Sequence, residues 1–315
     1  MKTREDTGQA MVITVVFLLV LLGMAALVLD IGSWYRADRS AQSTADAAAL
    51  AGAQALPDTA KAATLAQQYA VKNGGLGTGK IAFSSKITAN DTITVTVKRP
   101  APGFFSKLFG LKTVTAGAHG TARSEPMAQA RFVAPITVHY KHPYLNCTGP
   151  STNPTCNPDF DHQTTLNLED LHTKGGGSGS GAFGLINLKY GDSTGDIGAG
   201  TLADWLRGGY PDDLPLGTYY SAPSANFNNS QFLSSLDFVL GKEVLFPVYR
   251  LLTGPGSNAK YDIIGWVGFV ITSYKATGSS GSLTGHFTRY VGEGVQVEKG
   301  GGGPDFGAHK VELVD

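Results

Sequence analysis

His139, His142, His162 and His172 share one stretch of the chain with Asp159, Asp161, Glu169 and Asp170. Imidazoles and carboxylates are the groups that ligate metals and relay protons, so metal or acid–base chemistry would be sought here first. The spacing gives it little support, because no His-Glu-x-x-His and no Asp-x-Asp-x-Asp-Gly calcium loop is present. The plainer reading is a polar loop with histidines on alternate strand faces. Gly177-Ser178-Gly179-Ser180-Gly181 fits the letters of a nucleophile elbow, yet it lies in a Gly/Ser stretch with no apolar strand before it. The same glycines make no phosphate loop, since no Gly-Lys-Ser/Thr follows. Trp205, Tyr219, Tyr220, Trp266 and Phe269 read as core residues rather than ligand stackers. No catalytic residue, no metal site and no cofactor is expected.

Cys147 and Cys156 are the two cysteines, enclosing a Pro/Asn/Thr turn in CTGPSTNPTC. They could form a disulfide, or a metal pair completed by His142 or His162. Zinc sites usually space paired cysteines two to four apart, and no second pair exists. An even count on an exported chain favours the disulfide.

The export argument comes from Ala10 to Leu29, AMVITVVFLLVLLGMAALVL, which carries no charge. Twenty helical residues rise roughly 30 Å, the thickness of a bilayer's hydrocarbon core. A soluble core helix would carry a polar stripe, and a cleaved signal has a shorter apolar region with a small-residue site just after it. Here the first Ala-x-Ala is Ala51-Gly52-Ala53, so a retained span is expected. Lys2 and Arg4 before the span and Arg36 and Arg39 after it leave the positive-inside count nearly even. The placement of both cysteines and all folded mass after the helix puts the N-terminus in the cytoplasm and the body outside the cell (inner) membrane.

With 25 basic and 25 acidic residues the chain is formally neutral, which argues against nucleic acid as a partner. Its 41 glycines and low charge point to a β-rich extracytoplasmic protein. The helix is expected to run past the membrane, since Asp30 to Leu56 lacks proline and is rich in alanine. Ala41, Ala45, Ala48, Gly52 and Ala55 fall on one small-residue face, which is either a close helix-packing surface or plain helix-forming sequence. Pro57 with Asp58 breaks the helix, and Asp58 or Thr59 can cap a second helix, Lys61 to Lys72, closed by Asn73-Gly74-Gly75. Period-two alternation then marks strands in IAFSSKI, DTITVTVKR and Val114 to Ala122, with a turn at Asn90-Asp91. Phe104-Phe105 and Leu108-Phe109 form an apolar turn expected to cover this sheet. Beyond a linker, the chain reads as strands at 132–140, 182–188, 243–252, 261–274 and 283–291, with helices at 202–207 and 229–240. Gly265 and Gly268 imply a bulge or close approach in a curved sheet. The glycine-rich tail after Val297 is expected to be mobile, with VELVD as an edge strand.

The fold class expected is therefore α+β. A tail (1–9) and a transmembrane helix (10–29) precede a helical stalk with a small α+β module (30–123). A linker (124–130) and a Gly-rich, mainly antiparallel β domain (131–315) follow.

Gly8-Gln9, the apolar span, Leu29-Asp30-Ile31-Gly32, Tyr35, Gln42 and Ala45-Asp46-Ala47-Ala48-Ala49-Leu50-Ala51-Gly52-Ala53 resemble the N-terminal segment of the TadE/TadG-like family. That family belongs to the Tad apparatus, which assembles Flp (type IVb) pili. The resemblance implies a single-pass, non-enzymatic protein whose partners are the bilayer and other Tad membrane proteins or pseudopilins. Pilin-like relatives carry Glu-Phe shortly after the Gly-Gln-type processing site, and Ile13-Thr14 stand there instead, favouring the uncleaved TadG-like branch. The Asp-x-Ser-x-Ser metal motif of the von Willebrand A domains found in some relatives is absent. The rival reading is a membrane-tethered, adhesin-like module that binds a surface ligand through its C-terminal domain.

Overall fold

Alanine, and the lack of any proline before position 57, carry one helix from the apolar run well into the folded body: α1 (Asp6–Ala53), 48 residues and roughly 70 Å long. It ends ahead of Pro57, whose missing N–H cannot continue the ladder. The computed structural model describes residues 6–74, 78–110, 113–152, 154–168, 181–192, 194, 197–277, 280–292, 294–296 and 303–314. Its contacts divide the chain into two units, Met1–Ser124 with Val311–Asp315, and Glu125–Lys310. The class is α+β, as expected.

In the first unit Asp58 caps α2 (Thr59–Lys72), accepting from the Lys61 N–H at 3.1 Å. Ala62, Ala66 and Ala70, one turn apart, form its buried seam. The expected period-two strands follow as β1 (Thr78–Ser84), β2 (Thr92–Pro102) and β3 (Thr113–Ala130), all antiparallel. Ile93, Val95 and Val97 are fully buried on one face of β2. On the other face Thr94 Oγ1 lies 3.1 Å from Thr121 Oγ1. Asp91 closes the β1–β2 connection: only 2% exposed, it accepts from the amides of Lys86 at 2.9 Å and Thr88 at 2.7 Å and from Thr92 Oγ1 at 2.7 Å. The stretch 124–130, read from sequence as a linker around Pro126, is strand and continues β3. At the other end of the chain the Val314 N–H donates to the Thr121 carbonyl at 2.9 Å, and Val311 packs on the alanine core.

The second unit contains β4 (Ile136–His139), β5 (Cys147–Thr148), β6 (Thr155–Cys156), β7 (Gln163–Leu168) and β8 (Ala182–Leu185). Then come α3 (Ala199–Gly208), β9 (Leu214–Pro215), β10 (Gly217–Tyr220) and α4 (Ser230–Val239). The long strands β11 (Glu243–Thr253), β12 (Lys260–Thr277) and β13 (Ser280–Thr288) precede β14 (Tyr290–Val291), β15 (Gly294–Gln296) and β16 (Ala308–Leu313). The main sheet runs β10-β12-β11-β4-β8-β7-β13, and β13 also pairs with β12, so the path returns to its long strand and the sheet closes on itself. Only β4–β11 and β7–β8 are parallel within it. The bulge expected near Gly265 is present: the register shifts between Val248↔Gly265 and Tyr249↔Ile263. A Cβ on Gly265 would meet Phe306 Cδ2 at 2.4 Å. Phe306 is itself buried, so this part of the tail read as mobile is instead packed into the core. Residues 297–302 lie outside the described residues.

Candidate functional site

α1 has two halves with opposite surroundings. From Met11 to Ile31 its large apolar side chains are exposed, and its most apolar 18-residue window has mean hydropathy 3.1 with none of it buried. The hydroxyl in this stretch is satisfied internally, Thr14 Oγ1 donating to the Ala10 carbonyl at 2.8 Å. Among the described residues this is the one helix long and apolar enough to cross a bilayer. Folding the apolar half against the body would have hidden it; instead about six turns of Val, Leu, Met and Phe face outward. In water that surface would be strongly unfavourable, and in lipid it is matched.

The other half is built for contact. Ala41, Ala45, Ala48 and Ala55 are buried, and a Cβ added to Gly52 would meet Ile93 Cδ1 at 2.6 Å and the Ala62 carbonyl oxygen at 3.0 Å. A Cβ on Gly120 of β3 would sit 2.7 Å from the Ala45 carbonyl carbon and oxygen. At Ala45 and Gly52 the helix thus packs against the chain's own α2, β2 and β3. With these positions filled from within, a partner helix has no access to them.

Where the two halves meet stands Asp30, 3% exposed. Its carboxylate accepts from the amides of Phe104 at 2.7 Å, Phe105 at 3.1 Å and Ser106 at 2.6 Å, the start of a single 3-10 turn, Ser106–Phe109. Charge-assisted bonds of this kind are about twice as strong as neutral ones. Nearby, Ser33 Oγ donates to the Pro102 carbonyl at 3.5 Å, and Arg99 bonds both Ser40 Oγ and the Gly74 carbonyl. Gln42 Nε2 reaches Asp46 Oδ1 at 2.8 Å and the His119 carbonyl at 3.0 Å. Phe104 and Phe105, expected to cover the sheet, are 62% and 41% exposed. In the sequence the signal of this contact is a lone carboxylate directly after the apolar run.

The described histidines of this stretch have different surroundings. His142 is 3% exposed; its Nδ1 accepts from the Tyr144 N–H at 3.2 Å, so the proton sits on Nε2, 3.2 Å from Thr164 Oγ1. Burial pushes its pKa down to about 4. His139 is buried against Tyr140 and Tyr249, and burial lowers its pKa too, opposed by a hydrogen bond to the Arg250 backbone. His162 stacks on Tyr144 at 5.3 Å and pairs with Asp159 at 3.2 Å. Glu169, Asp170 and His172, and the glycine–serine stretch up to Ser180, lie outside the described residues. Among the described residues no group of three or more His, Cys, Asp or Glu could hold a metal. Cys147 and Cys156 are joined by a disulfide across the β5–β6 pair. A concavity of about 390 Å³ lies between α3 and α4, lined by Asp204, Arg207, Gln231 and Ser234 among others.

No curated protein and no solved structure matches the chain. One family model does, on the element that carries Asp30 and the small-residue face: residues 8–55 match the family described as "Putative Flp pilus-assembly TadE/G-like".

Proposed function

We propose that this chain is a single-pass, non-enzymatic component of a Tad-type pilus-assembly or secretion apparatus. Residues 10–29 cross the cell (inner) membrane with the N-terminus in the cytoplasm, and the two folded units lie outside. The observation that carries the reading is the coincidence of the matched residues 8–55 with a helix whose first half is apolar and unoccupied and whose second half anchors a folded module. The disulfide fits an oxidising compartment, which supports the same side for the body. Ile13 and Thr14 at the positions of the pilin-like Glu-Phe favour an unprocessed, TadG-like chain that stays in the membrane. Its partners are the bilayer and other membrane proteins or pseudopilins of the machine.

The test is co-purification from membranes of the source bacterium, with a tag on the C-terminus. Tad membrane components should accompany the full chain, carbonate should leave it in the pellet, and N-terminal sequencing should find residues before Gln9 retained. A protein released by carbonate, or one that comes down free of any pilus-machine component, would contradict the proposal.

A further inference from the structure

β2 runs antiparallel to the second half of α1, and their contacts descend together. Ile93 lies at Gly52, Arg99 at Ser40, Pro102 at Ser33, and the amides of Phe104 to Ser106 at Asp30. From Gly52 to Asp30 is roughly 33 Å of helix. From Ile93 to Phe104 is roughly 36 Å of strand. The strand therefore keeps pace with the helix down to the level where the apolar run ends, and turns there. There Phe104 and Phe105 are exposed rather than packed into the sheet, at the Asp30 level of α1. Tyr35, exposed and bonded to Arg39 at 3.0 Å, stands about 7.5 Å further along the helix with the kind of ring that gathers at membrane interfaces.

We propose that residues 104–107 at the end of β2, led by Phe104 and Phe105, lie in the headgroup–acyl boundary of the bilayer that α1 crosses and form a second, non-spanning membrane contact. The proposal rests on reading α1 as a membrane span. Asp30 explains how such a contact is held. A bare carboxylate at the membrane edge would be costly, but three backbone amides satisfy this one and fix the turn to the helix. The depth of both rings is thereby set by the depth of the span. Lys107, exposed in the same turn, can keep its ammonium among anionic headgroups while its stem lies along the acyl boundary. Two attachment points would stop the first unit from rotating freely about its single helix, so that unit faces partners in one orientation.

The test uses the full chain reconstituted in phosphatidylcholine–phosphatidylglycerol liposomes, with a photoreactive benzoylphenylalanine placed singly at Phe17, Phe104 or Ile87. Phe17 reports the span, and Ile87 is an exposed apolar residue in the β1–β2 connection of the same unit. Lipid adducts are expected at 17 and at 104, with about tenfold less at 87, because moving one phenylalanine out of water biases the turn toward lipid by about that factor or more. Adducts at 17 with no excess at 104 over 87 would overturn the turn's membrane contact and leave the anchor standing. No adduct at 17 would overturn the anchor reading, and this inference with it. Cross-links from 104 to a second copy instead of lipid would make the turn a protein interface and likewise overturn the proposal.

Discussion

The two units are held together by opposite kinds of core. In the first, Ala41, Ala45, Ala48, Ala53, Ala62, Ala66 and Ala70 line the contact of two helices with a sheet; Leu56, Ile93, Val95 and Val97 are its larger fully buried members, with Phe83 partly buried against them. In the second, Phe183, Phe227, Phe246, Phe269 and Phe287 fill a closed sheet with Tyr219, Tyr249, Tyr261 and Trp266. A small-residue core gains little from apolar area and relies on backbones approaching closely enough for dispersion contacts to add up. An aromatic core gains a large area per residue and relies on every ring being present. The first should therefore fail when atoms are added, the second when they are removed.

The largest effect tests the aromatic core. Phe269 is fully buried, stacked on Phe246 with centroids 5.2 Å apart and edge-on to Phe287 at 5.1 Å. Phe269→Ala should cost about 3–5 kcal/mol. Denaturant unfolding of the detergent-solubilised chain, followed by near-ultraviolet circular dichroism, would read it; a loss well under about 1 kcal/mol would mean that the sheet does not close around these rings.

The counterpart in the alanine core is Gly120→Val. By propensity alone valine should favour the β3 strand. By packing it must displace the α1 backbone at Ala45, 2.7 Å from the new Cβ, and should cost about 3 kcal/mol. Hydrogen exchange in α1, β2 and β3 should accelerate together. If exchange slows, propensity has won and the close approach is not what holds this unit.

How much of this was legible in the sequence differs between the same two regions. The helix start at Asp58 or Thr59 and the alternation of β2 stood in the sequence because they depend on local spacing, as did the spacing of the small residues. What fills the face did not, since a run of alanines looks the same whether a partner or the chain itself packs against it. The direction of Phe104 and Phe105 was misread because covering the sheet is the usual fate of an aromatic turn; Asp30, 74 residues away in sequence, fixes it instead. In the second unit the long strands and the Gly265 bulge were readable, but the closure of β12 on β13 and the burial of Phe306 depend on distant pairing that periodicity does not encode. His142 shows the same limit: its types suggested chemistry, and its buried, two-sided hydrogen bonding gives it a structural role.

That role has a sign that can be measured. Burial holds the His142 pKa at about 4 in the folded chain, below the ordinary 6.5. The unfolded chain therefore binds more protons between these values, and stability rises with pH across that window. The contribution is complete above about pH 6.5, and its loss by pH 4 should amount to about 2–3 kcal/mol. Thermal melts between pH 4 and 7 should show the slope, and His142→Gln should flatten it. A slope that survives the substitution would belong to other groups and remove His142 from this role.

The smallest effect expected is that of the disulfide, and it sharpens the contrast between local and distant closure. Cys147 and Cys156 are only nine residues apart, and the β5–β6 pair already aligns them, Cys147 opposite Cys156. A cross-link stabilises mainly by removing freedom from the unfolded chain, and a short loop has little to remove, so reduction should cost about 2 kcal/mol. Both cysteines touch the aromatic core from its edge, and no main-sheet strand depends on their bond for its pairing. Reduction should therefore lower the midpoint of the second unit while leaving unfolding cooperative and the slope from His142 unchanged. Mass spectrometry of unreduced protein checks the bond, and melts with and without reductant check its effect. If reduction instead abolished the cooperative transition, the loop would be part of what closes the aromatic core, and rings alone would not account for its stability.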